Sequence, residues 1–302
     1  MTTTTTTTSQ RVIAVGYDGS APGTAALEWA ALEVRRTAGS LRIISVVHYP
    51  GMPASSLESS PILPGSLLNR AHKLAAEGAL LARKVLAPDL VETQIVIGAA
   101  AEALVTASRS AQLLVVGNRG RSERASMVLG SVSFAVTAHA HCPVVVVRKD
   151  GFVVGPEHAV VVGVDGSSAG DRALEVAAGI AAHAGAPLRV VCAWDLPAAD
   201  SWAHSYWETA SPDGDWARTQ HDVATKVALV AADRAQSQHS DLVVTTEVLQ
   251  GPAGTALTAL SGDAGLVVVG SRGLGGFTGL VLGSVSHHVI NDSACPVVVV
   301  RQ

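Results

Sequence analysis

The sequence predicts an α/β protein made of two tandem doubly wound sheets, each with five parallel strands. Three observations carry this prediction. The chain is written twice: Val15-Gly-Tyr-Asp18-Gly-Ser20 returns as Val162-Gly-Val-Asp165-Gly-Ser167, and the Cys142-Pro-Val-Val-Val-Val-Arg148 run returns as Cys295-Pro-Val-Val-Val-Val-Arg301. Short runs of Val, Ile and Leu without polar alternation mark strands buried on both faces. Ala-rich stretches of helical length separate those runs, and repeated βα units imply right-handed crossovers and a parallel sheet.

In the first half, strands are predicted at residues 11–16, 41–47, 92–97, 113–116 and 144–148, and helices at 22–37, 67–86, 100–110 and 132–140. In the second half the strands fall at 159–164, 188–193, 242–249, 266–269 and 297–301, and the helices at 169–183, 216–238, 254–260 and 285–291. Residues 1–10 read as a disordered tail rich in Thr, 11–149 as the first domain, 150–157 as a linker and 158–302 as the second domain. Two long connections, 49–66 with four prolines and 195–215 with Trp202, Tyr206 and Trp207, read equally as lids, partner surfaces or disordered loops.

A flavodoxin-like or Rossmann-like strand order, 3-2-1-4-5, would leave each fifth strand at an edge. Val144–Val147 and Val297–Val300 are apolar and uncharged, and an uncovered edge of that kind aggregates. Pairing the two fifth strands with each other covers both and makes the chain an internal pseudo-dimer. Association into a homodimer is compatible with the same features.

Composition narrows the function classes. The 302 residues are 48% hydrophobic and 15% charged, which allows a large core. A net charge of −4 leaves no basic footprint for nucleic acid. No apolar run reaches the ~20 residues of a membrane span. Three cysteines suit a reducing cytoplasm, and Cys142 and Cys295, at matching places, read as small core residues.

The chemistry concentrates in one repeated loop. Gly117, Gly120, Gly130 and Ser131 follow the fourth strand in the pattern Gly-x-x-Gly-x9-Gly-Ser, and Gly270, Gly273, Gly283 and Ser284 repeat it. Strand, glycine-rich loop and helix start form a layout that binds phosphate: glycines admit close approach, and the helix supplies unpaired N–H groups and a positive dipole end. Ser284 is expected at the N-cap, and Ser133 and Ser286 one turn further on are expected to add hydroxyls. The first loop lacks the internal glycines that Gly275, Gly276 and Gly279 supply to the second, and carries Arg121, Glu123 and Arg124 instead. Asp18 and Asp165, at the ends of the first strands, meet these loops at the switch point of the sheet. A carboxylate beside a phosphate cradle suits a ribose hydroxyl or an adenine amine, which together suggest a nucleotide. The competing reading leaves Asp18 and Asp165 as helix caps and the glycines as turn-formers. Arg119 and Arg272 are placed either toward phosphate or toward solvent. The chain has no Gly-x-x-x-x-Gly-Lys-Ser/Thr lysine, neither loop contains lysine, and His139, His141, His287 and His288 lack metal-ligand spacing.

Asp18, Asp165, the two loops and the terminal Cys-Pro-Val-Val-Val-Val-Arg strands together resemble the universal stress protein family in its tandem two-domain form. The resemblance spans residues 11–301. It implies an adenine nucleotide in each half: ATP, with or without Mg2+, or another adenine nucleotide such as cyclic AMP. Carried over by position, Asp18 and Asp165 contact the nucleoside, and the backbone at Val46 and Ala193 meets adenine. Gly117, Gly120, Gly130 and Ser131 hold phosphates in the first half; Gly270, Gly273, Gly283 and Ser284 do so in the second. The implied role is a cytoplasmic nucleotide-sensing regulator of a stress or growth response, acting through a protein partner. A slow ATPase or phosphotransferase, and a chaperone-like module with incidental nucleotide, are the alternatives.

Overall fold

The computed structural model describes residues 11–47, 65–120, 129–148, 154–195, 216–274 and 281–301. The predicted tail, most of both long connections and residues 149–153 of the linker region lie outside the described residues. So do Arg121, Glu123, Arg124, Gly275, Gly276 and Gly279.

The first half runs β1 (Val12–Gly16), α1 (Ala21–Thr37), β2 (Ser40–Val47), α2 (Gly65–Ala82), β3 (Val91–Ile97), α3 (Ala100–Ala107), β4 (Leu113–Gly117), α4 (Ser131–His139) and β5 (Val144–Val147). The second repeats it with β6 (Val160–Gly163), α5 (Ser168–Ala184), β7 (Leu188–Trp194), α6 (Trp216–Gln238), β8 (Val244–Gln250), α7 (Ala253–Leu260), β9 (Leu266–Gly270), α8 (Ser284–Asp292) and β10 (Val297–Val300). The largest departures from expectation are at helix ends: α2 stops at Ala82, and a short 3-10 turn, Pro88–Leu90, leads into β3.

Among the described residues ten strands join one sheet in the order β3-β2-β1-β4-β5-β10-β9-β6-β7-β8. Each half therefore has the 3-2-1-4-5 order, and the two are joined through their fifth strands. β5 and β10 run antiparallel with Val146 opposite Val297, Val145 opposite Val298 and Val144 opposite Val299. Val145 and Val298 are equivalent positions of the repeat, so the pseudo-two-fold axis passes through that pair. Every residue of both strands is buried. The strands left at the outer edges, β3 and β8, are half-exposed and carry Glu92 and Glu247, a charge that discourages further pairing.

Helices cover both faces, and each face has its own core. On one, α1, α2, α5 and α6 pack through residues such as Leu27, Ala79, Leu174 and Ala228. On the other, α3, α4, α7 and α8 pack through Leu104, Val136, Leu257 and Val289. Each core runs across both halves. The helices after the first strands start alike: Ser20 accepts from the Gly23 N–H and Ser167 from the Gly170 N–H, both at 3.1 Å. The C-terminal ends differ. Gly185 closes α5 in the left-handed region at φ 61°, whereas Ala38 does so for α1 at φ 51°.

Candidate functional site

In the second half the ends of β6, β7 and β9 and the starts of α7 and α8 surround a cleft of about 460 Å3, within the usual range for small-molecule sites. It lies where the chain passes from β6 to β7 on one side and β9 stands on the other, the switch point of the half-sheet. Its inner wall is apolar: Val191 and Ala193 from β7, Ala253 and Leu257 from α7, and Val269 from β9. α7 comes this close because Gly163 has no side chain; a Cβ there would lie 2.8 Å from Leu257. Gly16 and Leu104 repeat the contact in the first half at 3.0 Å. A flat apolar ring fits such a wall.

The polar end is built by Asp165 and the loop after β9. Asp165 Oδ1 accepts from the Ser167 N–H at 3.0 Å and from the Ser167 hydroxyl, which itself caps α5. Asp165 Oδ2 accepts from the Leu274 N–H at 3.0 Å. One carboxylate thus ties the end of β6 to the start of α5 and to the glycine-rich loop. A side chain at Gly273 would overlap Asp165 Oδ2, so only glycine lets the loop pass. In the first half Asp18 Oδ1 accepts from the Ser20 N–H at 3.0 Å and its hydroxyl at 2.6 Å. A Cβ on Gly120 would lie 2.9 Å from Asp18 Oδ2. Of the competing sequence readings, the helix cap belongs to the serine, and the aspartate instead holds that serine and meets the loop.

The loop returns to its own start before the helix begins. The Gly283 N–H donates to Ser271 O at 2.8 Å, and the Gly130 N–H to Asn118 O at 2.9 Å. Ser271 N–H and Asn118 N–H donate in turn to Val300 O and Val147 O on the fifth strands. The N-caps are Gly283 and Gly130, extended, with no side-chain cap bond. Ser284 and Ser131 are therefore the first helical residues, one place past the N-cap expected from the sequence. Their hydroxyls are exposed at the helix start, and Ser284 lines the cleft. Among the described residues no side chain caps α8, and a helix start of this kind presents first-turn N–H groups that suit an anion. Arg272 also lines the cleft. Burial holds Arg301 below its ordinary pKa, and neighbouring Arg272 adds to that.

Two groups of predicted residues turn out to serve the loop itself. Ser133 and Ser286 are buried; Ser133 Oγ donates to Gly117 O at 2.6 Å, and Ser286 Oγ lies 2.9 Å from Gly283 O and 3.2 Å from Ser271 O. Gly117 and Gly270 allow close packing against the first turns of α1 and α5: a Cβ would meet the Pro22 backbone at 2.7 Å or Ala169 at 3.0 Å. Gly270 also borders the cleft, as do Gly273 and Gly283. Ala193 lies in the wall, and Val46 holds the matching place on β2, paired in register with Val96. Ser20, Ser167, Leu257 and Leu274 were not singled out from the sequence. For the serines the signal was present in the repeated Asp-Gly-Ser; for the others it is tertiary.

Among the described residues no group of three His, Cys, Asp or Glu side chains could hold a metal ion, and no helix is long and apolar enough to cross a membrane. The three cysteines are free and buried, and burial pushes their thiols up, Cys142 to about 12.

The sequence model of the universal stress protein family matches residues 10–148 and again 158–301. Universal stress protein Rv2623 of Mycobacterium tuberculosis is 33% identical, with 96% of each chain covered. Universal stress protein Rv1996 of the same organism is 32% identical, over 96% of this chain and 94% of that one. Among solved structures, a universal stress protein from Archaeoglobus fulgidus superposes with a TM-score of 0.65 at 21% identity, covering 97% of both chains. A protein from Pseudomonas aeruginosa described as a putative universal stress protein gives 0.62 at 15% identity.

Proposed function

The chain belongs to the universal stress protein family, and on that premise we propose that it is an adenine-nucleotide-binding regulatory protein with one site in each half, ATP being the ligand that fits best. One observation carries the reading: at the second site a single carboxylate, Asp165, accepts from the Leu274 N–H of the glycine-rich loop, and that loop leads to a helix start with no side-chain cap bond among the described residues. The apolar wall of Val191, Ala193 and Leu257 suits the base. Asp165, which lines this end of the cleft, suits a sugar hydroxyl. The first turn of α8, with Arg272, suits the phosphates. Asp18, Val46, Gly120, Gly130 and Ser131 supply the same parts in the first half.

Nucleotide held this way is gripped by main chain and by one loop, so occupancy is read out as loop order. That suits a sensor that signals through a protein partner. Identification of the nucleotide released from denatured, freshly purified protein tests the proposal. Adenine nucleotide near two per chain supports it; none, with no binding of added ATP or cyclic AMP, removes it. Phosphate release by the purified protein would instead favour slow hydrolysis, for which the exposed Ser284 hydroxyl in the cleft is the group to test.

A further inference from the structure

Helix α8 borders the second site and reaches the end of the first loop. Its first turn borders the second-half cleft, and its last turn reaches into the first half. Nine residues at about 1.5 Å rise put its ends about 12 Å apart. At the far end Asn291 Oδ1 accepts from the Leu129 N–H at 3.1 Å. Leu129 belongs to the first loop and precedes Gly130, the cap of α4. The Asn291 amide is set for this: its Nδ2 donates to His287 O at 2.8 Å, which leaves Oδ1 facing the Leu129 donor. Arg148, one residue past β5, donates to Ile290 O at 3.0 Å and to Asn291 O, closing the same helix end with a cation. Its neighbour Val147 accepts from Asn118 N–H at the start of the first loop. Phe134 of α4 and His287 of α8 meet edge to face, with ring centroids 6.3 Å apart. The start and the end of the first loop are thus both fastened next to the C-terminal end of α8.

The arrangement is one-sided. The position equivalent to Asn291 in α4 is Ala138, which has no side-chain acceptor to offer the second loop. We propose that Asn291 is a positioning residue for the first-half site, so that the placement of Leu129, ahead of the cap of α4, depends on the second half, while among the described residues the second site has no matching tether from α4. The proposal rests on the nucleotide reading above for what the loop holds, and on geometry alone for the tether.

The test is Asn291→Ala in the full chain, read two ways. Amide exchange of the peptide containing Leu129 should quicken with the melting temperature unchanged. ATP titrations in single-site backgrounds should separate the halves: with the second site disabled by Gly273→Val, adding Asn291→Ala should weaken binding about five- to tenfold, the usual value of one lost hydrogen bond. With the first site disabled by Gly120→Val, it should leave binding unchanged. Unaltered exchange at Leu129, or equal loss at both sites, overturns the proposal. If the wild-type chain binds no nucleotide, the functional proposal falls, and the exchange measurement alone decides whether Asn291 places Leu129. Asn291→Asp, which keeps an acceptor for the Leu129 N–H but not the donor to His287 O, should restore exchange protection in part; protection no better than that of Asn291→Ala also counts against the tether.

Discussion

Replacing Gly273 with alanine adds one methyl group where the second loop meets the Asp165 carboxylate. The new Cβ overlaps Asp165 Oδ2, the atom that accepts from the Leu274 N–H at 3.0 Å. Gly273 lies outside the left-handed region, so backbone strain does not contribute. One of the two partners must move, and the bond to Leu274 is lost. A hydrogen bond to a charged group contributes about 1.5–3 kcal/mol. Asp165 is only half-buried, so the lower end applies. At about 1.4 kcal/mol per tenfold, ATP affinity at the second site should fall about tenfold. Asp165 Oδ1 keeps its bonds to Ser167, so α5 stays capped and the melting temperature should hold to within about 2 °C. Calorimetric titration in the Gly120→Val background measures this directly. Affinity equal to that of the parent would refute the claim that the Asp165–loop contact organises the site.

Other consequences are testable by stability. Ala38→Gly relieves a left-handed alanine at the end of α1, where the second half already has Gly185, and should add about 1 kcal/mol in denaturant unfolding. Val298→Asp sets an unpartnered carboxylate on the pseudo-two-fold axis against Val145, both fully buried, and should cost more than about 4 kcal/mol or abolish soluble folding; near-native stability would mean the halves do not depend on this seam. Glu33 is 3% exposed; burial raises its carboxyl pKa above the ordinary 4.5, and Arg36 at 3.5 Å partly offsets this. The folded state then holds its proton to higher pH than the unfolded chain does. Its contribution is therefore full below pH 4.5 and is lost as pH rises through the raised value. The stability of the parent relative to Glu33→Gln should accordingly fall with rising pH across that window, and a difference that stays flat or rises would contradict it.

Much of this architecture is legible in the chain because it rests on local pattern and on repetition. The uncharged runs of β5 and β10 demand a partner, and each is the other's. The Asp-Gly-Ser and Gly-x-x-Gly-x9-Gly-Ser segments, each present twice, mark the elements that converge at the cleft. Pattern does not reveal what each glycine is for. Gly117 and Gly270 make room for the first turns of α1 and α5, whereas Gly120 and Gly273 make room for a carboxylate. That difference depends on which element lies opposite. The same holds for Ser133 and Ser286, whose hydroxyls turn inward to loop carbonyls because the helix start carries them under the loop. Asn291 was out of reach for a further reason: its partner, Leu129, lies 162 residues away in the other half.

Denaturing freshly purified protein and measuring the released nucleotide against chain concentration decides whether each half holds an adenine nucleotide between its aspartate and its glycine-rich loop. Adenine nucleotide, with ATP foremost, should approach two per chain, falling toward one in Gly120→Val or Gly273→Val and toward none in the double variant. Protein that carries no nucleotide and binds neither ATP nor cyclic AMP when these are added would contradict this.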